Sequence, residues 1–155
     1  MKKLFIILLV VFSFYTHLYT EETVKKVSQK YTDFDEALKA SKESNKKLFV
    51  IFSGSDWCVN CQNLKKKVFD TAAFEKFASE QLIILVLDFP SDKAHALPKD
   101  QIKKNEALAE KYNAEGTFPR CILFSSEGKS IGEIKSYSKE TPEEYIKIIK
   151  NLMEK

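Results

Sequence analysis

Two unbroken apolar runs, Leu48-Phe49-Val50-Ile51-Phe52 and Leu82 to Leu87, constrain this chain more than any other feature. Neither alternates with polar residues, so each reads as a strand covered on both faces, as in the middle of a parallel or mixed sheet. The stretch between them places Cys61, Leu64 and Val68 at helical spacing. Two parallel strands need a crossover of about that length, and a right-handed one through a helix satisfies the requirement.

The remaining elements follow from caps and turns. Asp33 caps a helix carrying Phe34, Ala37 and Leu38, with Glu36 completing a box-like pattern and Ser44-Asn45 ending it. Asp70 is expected to cap a second stretch of helix bearing Phe74, Phe77 and Ala78, with Phe69 and Phe74 at staple positions. Ile102 to Tyr112 reads as a helix closed near Gly116, and Cys121 to Phe124 as a strand turned back by Ser126-Glu127-Gly128-Lys129 onto Ile131 to Ile134. Thr141, Pro142 and Glu144 start a last helix that buries Tyr145, Ile148, Ile149 and Leu152. Phe89-Pro90 to Pro98-Lys99 reads as a surface insertion without a catalytic signature. The result is an α/β chain with a central four-stranded mixed sheet flanked by helices, an N-terminal helix and an insertion after the second strand.

Chemistry concentrates where the first apolar run ends, at Trp57-Cys58-Val59-Asn60-Cys61. A helix start offers unpaired N–H groups and the positive end of the helix dipole, which favour a thiolate at Cys58. Cys61 lies one turn on, within reach of any mixed disulfide formed at Cys58. A disulfide closing so small a ring contributes little stability, so redox cycling explains the pair better than a structural staple does.

The chain opens with Lys2-Lys3 and an apolar stretch from Leu4 to Phe12. That pattern reads as a signal peptide over 1–20, cut after Tyr19 or Thr20 or kept as an uncleaved anchor, since it is too short for the roughly 20 residues of a membrane span. A polar arm over 21–31 precedes one domain over 32–155. Loss of Lys2 and Lys3 lowers the formal charge from +3 by two, and the interspersed charges leave no nucleic-acid footprint. Lys65-Lys66-Lys67 reads as a solvated helix face. An exported chain with three cysteines, two of them in a tight pair, does not carry an even-numbered structural framework.

The element order, the Trp-Cys-x-x-Cys at the end of the first core strand and Thr117-Phe118-Pro119 before the third together resemble the thioredoxin superfamily over essentially the whole chain after the leader. Ser55-Asp56-Trp57-Cys58-Val59-Asn60-Cys61, followed by Leu64, Val68-Phe69 and Asp70, is most similar to its exported bacterial thiol–disulfide reductases. The resemblance implies a thioredoxin fold, a cis Phe118-Pro119 bond facing the cysteines, and a backbone at Phe118 that pairs with an extended substrate segment. It also implies partners that are proteins with disulfides or oxidised thiols, and a membrane electron donor. The chain departs from thioredoxin at two places. Phe52 stands where thioredoxin has a buried acid, and Val59-Asn60 replaces its glycine-proline pair.

The expected roles are therefore Cys58 as attacking and Cys61 as resolving thiol, Trp57 as a surface platform beside the reactive sulfur, Phe118 and Pro119 as substrate-binding, and Asp56, Val59, Asn60 and Thr117 as supporting. Asp56, Glu115 and water are candidates to take the Cys61 proton, with Asp56 favoured as a loop cap and water as the acceptor. Cys121 reads as a buried free thiol, with a third redox partner as the sharper alternative. His95 reads as a solvated loop residue. A metal site is not expected, because three cysteines and the one histidine beyond the expected leader, with Cys121 in a strand, fit a zinc geometry poorly. No cofactor and no nucleic-acid partner is expected, and the protein is expected to act as a monomer. Val59-Asn60 brings no cation to a thiolate, which favours a reductase in the periplasm over an oxidase or isomerase. A redox-inert peptide-binding module is the alternative of a different class.

Overall fold

The computed structural model describes residues 27–154; the expected signal peptide over 1–20 and the first part of the expected arm lie outside the described residues. The elements are β1 (Lys30–Tyr31), α1 (Phe34–Ser44), β2 (Lys47–Ser53), α2 (Val59–Leu64), a π-helical turn (Lys65–Phe69), α3 (Ala72–Gln81), β3 (Leu82–Asp88), a 3-10 turn (Lys93–His95), α4 (Lys99–Tyr112), β4 (Arg120–Phe124), β5 (Ser130–Ile134) and α5 (Pro142–Met153). The sheet runs β1-β3-β2-β4-β5. β1, β3 and β2 are parallel, while β4 pairs antiparallel with β2 and β5 with β4. Five strands form where four were expected. The addition is β1, whose residues Lys30 and Tyr31 pair with Ile84 and Leu85 and turn the end of the expected arm into a sheet edge.

Strand alternation divides the core into two layers. Phe49, Ile51, Ile84, Cys121 and Leu123 face α3 and α5 with Phe74, Tyr145 and Ile149. Leu48, Val50, Phe52, Ile83, Leu85 and Ile122 face the other way, against Ala37, Leu108 and Tyr112. Phe74 is wholly buried beside Phe69 at 4.8 Å between ring centroids. Truncating such a residue to alanine costs about 3–5 kcal/mol.

Local signals held or shifted for identifiable reasons. Asp33 caps α1 by accepting from the N–H groups of Asp35 and Glu36, and Asn45 ends that helix at a positive φ of 53°. The capping box at Thr141 and Glu144 is complete, with Pro142 in the first turn. The expected cap at Asp70 is a correction. Thr71 caps α3 through its hydroxyl, while Asp70 ends the π turn, where its N–H reaches Lys65 O at 2.8 Å and its carboxylate holds Lys65 Nζ at 2.6 Å. The extra residue of the π turn lets the consecutive Val68 and Phe69 both face the core.

A tether secures the arm. Glu75 on α3 accepts from Ser28 N at 3.1 Å, Ser28 Oγ at 2.7 Å and Lys30 Nζ at 2.9 Å, and these contacts hold its carboxyl below the usual range against the cost of burial.

Candidate active site

The site forms where β2 ends and α2 begins. Cys58 is the N-cap of α2; its sulfur accepts from Cys61 N at 3.1 Å, its own N–H reaches Gly54 O at 2.9 Å, and its C=O accepts from Gln62 N at 3.1 Å. Cys58 and Cys61 are joined as a disulfide, with Cα atoms 5.2 Å apart. Cys58 and Cys61 retain only 6% and 5% exposure, while Val59 and Asn60 between them are exposed.

Three contacts staple this turn to distant parts of the chain. Ser55 donates from N and Oγ to the Asp88 carboxylate at 2.9 and 2.7 Å. Asp56 accepts from Ser91 N at 3.0 Å and from Asp92 N at 2.7 Å, with His95 Nδ1 at 3.7 Å from its Oδ2. Trp57 donates from Nε1 to Phe89 O at 2.7 Å. The segment expected to be a plain surface insertion therefore supports the site. No local signal reveals it, since Asp56 and its donors are 35 and 36 residues apart.

Those backbone N–H donors hold the Asp56 carboxyl below its ordinary 3.8, with a smaller contribution from His95. A carboxylate saturated in this way is a poor proton acceptor. Glu115 is committed as well, to Arg120 Nη1 at 3.4 Å and Lys135 Nζ at 3.5 Å. Phe52 is wholly buried in the layer with Ala37 and Leu48, on the face of β2 opposite Ile51. No acid occupies its place.

Trp57 is 46% exposed and makes an edge contact with Phe118 at 5.2 Å between centroids, and Phe89 meets Phe118 at 5.4 Å. A Cβ on Gly54 would lie 2.3 Å from Trp57 Cε2, so only glycine lets the indole lie down on the turn. The Phe118-Pro119 bond is cis. Pro119 and Cys61 line one cavity of about 100 Å³ with Ile51, Ser53, Leu64 and Phe69. Pro119 and Cys61, far apart in sequence, thus share a wall. Thr117 sits behind Phe118, bound to Asn113.

Cys121 is apart from this chemistry. It is 1% exposed in β4, accepts from Tyr145 Oη at 3.3 Å, and burial pushes its thiol up to about 12. His95 is an exposed residue of the 3-10 turn. No helix of the described residues is long and apolar enough to cross a membrane.

Two Chlamydia pneumoniae proteins are similar to this chain. The disulfide bond reductase DsbH is 33% identical over 104 residues, covering 67% of this chain and 61% of that protein. The thioredoxin-related protein DsbJ is 32% identical over 111 residues, covering 72% of this chain and 31% of that protein. The aligned part thus spans less than two thirds of either relative. A solved DsbH oxidoreductase superposes with a TM-score of 0.75 at 26% identity, covering 88% of this chain and 92% of the other. The model of the thioredoxin-like domain matches residues 34–152, which takes in every element from α1 to α5 except the last residue of the latter. With the cysteine pair at the head of α2 and the cis proline beside it, this chain belongs to the thioredoxin-like family.

Proposed function

We propose that this chain is an exported thiol–disulfide oxidoreductase that reduces protein disulfides in the periplasm. The observation that carries the reading is the Cys58–Cys61 disulfide at the head of α2, walled by Pro119 and flanked by an exposed tryptophan. In the reduced protein the Cys58 thiolate attacks one sulfur of a substrate disulfide, and the other sulfur leaves as a thiolate that takes up a proton. Cys61 then loses its proton and attacks Cys58 Sγ, releasing the second substrate thiol. The substrate gains two electrons and two protons; the protein is left with the Cys58–Cys61 disulfide.

The chain's own groups support each step. The Cys61 N–H and the start of α2 favour the Cys58 thiolate. Phe118 presents its backbone to an extended substrate segment as an added strand, and Trp57 provides the apolar platform beside it. Water takes the Cys61 proton, since Asp56 and Glu115 are both engaged elsewhere. Val59 and Asn60 are exposed and bring no cation to the sulfur, which supports reduction over oxidation.

Residues 1–20 serve as the signal peptide, 21–31 as an arm and 32–155 as the working domain, acting as a monomer. A membrane-embedded dithiol donor re-reduces the pair. The names of the DsbH and DsbJ relatives support disulfide exchange with protein partners.

The test is reduction of insulin by the protein with dithiothreitol as electron source, together with the equilibrium potential of the pair against glutathione. The expected result is catalysed reduction and a potential nearer thioredoxin's value of about −270 mV than DsbA's about −120 mV. Insulin reduction no faster than the dithiothreitol background would sink the reading.

A further inference from the structure

We infer that Asn113 is a positioning residue that aims the Phe118 backbone at the substrate, with Arg120 fixing the orientation of its amide. The inference rests on the proposed disulfide exchange and adds the device that presents its docking strand.

Asn113 follows α4, four residues before Thr117, and is 2% exposed. Its side chain engages Thr117 on every polar group. Oδ1 accepts from Thr117 N at 3.0 Å and from Thr117 Oγ1 at 3.1 Å, while Nδ2 donates to Thr117 O at 2.9 Å. One amide therefore does for Thr117 what a neighbouring strand would do, taking its N–H and its C=O together.

The Asn113 amide thereby uses both backbone groups of Thr117 and holds the peptide that leads into Phe118 and the cis bond. Among the described residues, neither the Phe118 N–H nor its C=O takes part in a hydrogen bond. A ladder position is left open beside Pro119 and the cavity shared with Cys61.

The amide must face one way to do this, because a flipped Asn113 would set its NH₂ against the Thr117 N–H and its oxygen against the Thr117 C=O. Arg120 supplies the bias. Its Nη1 donates to Asn113 Oδ1 at 3.3 Å and to Glu115 at 3.4 Å, while Nε and Nη2 hold Glu133 at 3.1 and 2.5 Å. A buried cation already engaged by two carboxylates leaves only the oxygen of Asn113 as a fitting neighbour.

The test compares the parent with Asn113→Leu and Asn113→Asp. Steady-state reduction of insulin reads docking; the rate at which the reduced protein opens the small disulfide of Ellman's reagent reads the cysteine pair without a docked chain. Asn113→Leu is expected to raise KM for insulin about tenfold, the equivalent of one to two hydrogen bonds, with the small-disulfide rate within about twofold of the parent. Asn113→Asp keeps the acceptor toward the Thr117 N–H and Arg120 but sets an oxygen against the Thr117 C=O, and its KM is expected to fall between those of the parent and the leucine protein. If the leucine protein does not fold, Asn113→Ser replaces it under the same criteria. A parent-like KM in the leucine protein, or an equal fall in both rates, overturns the inference alone. A parent inert toward both disulfides overturns the functional reading and this inference with it.

Discussion

Cys58 and Cys121 are the same residue in nearly equal burial, 6% and 1% exposed, yet their surroundings prepare them for opposite fates. Around Cys121 the backbone is already paired with β2 and β5, and the Tyr145 hydroxyl donates to its sulfur. Around Cys58 the chain has just left a strand and entered a helix, and the Cys61 N–H is directed at the sulfur. Low exposure therefore does not decide whether a thiol is inert. The supply of unpaired backbone donors does, because it stabilises the charged form that desolvation opposes.

The widest gap between the two should appear on substitution. Cys58→Ser is expected to reduce insulin turnover to background, while Cys121→Ala leaves it within about twofold, since a serine oxygen cannot form the mixed disulfide and the Cys121 sulfur is closed to a protein substrate. Equal losses in both proteins would collapse the contrast.

Next in size is a change in what accumulates. Cys61→Ser retains the attack but not the release, so it should hold a protein substrate as a mixed disulfide stable on non-reducing gels and reversed by dithiothreitol. Failure to trap any partner would place the first attack elsewhere. Alkylation sharpens the same point. With a thiol near 12, Cys121 exposes only about one thiolate in ten thousand at pH 8, so iodoacetamide should label reduced Cys58 and spare Cys121 until the protein unfolds.

Stability gives a smaller signal. Cys121→Ala removes a buried sulfur and leaves the Tyr145 hydroxyl without its acceptor, which should cost about 1–3 kcal/mol in urea unfolding. The smallest effect expected is a pH dependence at Asp56. Its folded-state value is depressed, so its contribution is present above the ordinary 3.8 and is lost as pH falls through the lower folded value. Asp56→Asn should accordingly be less stable than the parent near neutrality and converge with it in acid. A difference that persists at the acid end would mean that the charge is not what holds the loop.

Sequence order exposed the parts of the molecule whose causes are local. The two apolar runs became the central strands, the Thr141 box became a complete cap, and the junction that carries the cysteine pair lies where strand pattern gives way to helix pattern. What escaped depends on contacts across the chain. A two-residue strand such as β1 has no periodicity to detect; it exists because β3 offers an edge and Glu75 offers acceptors. The role of Phe89 to Asp92 lies in backbone groups, which every residue possesses, so composition could not mark it. Asn113 escaped for a similar reason. An asparagine after a helix is ordinary, and only folding brings Thr117 and Arg120 to its amide. The shift of the cap from Asp70 to Thr71 is a one-residue contest between two good capping side chains, decided by the π turn before them.

The tether at Glu75 also has a mechanical meaning. Load applied to the polypeptide ahead of Ser28 would reach α3 through one carboxylate and the sheet through a two-residue ladder, before any of it reached β2. In a pulling experiment the earliest rupture should therefore peel away β1 and leave the cysteine ring intact, so that the edge works as a fuse ahead of the reactive end.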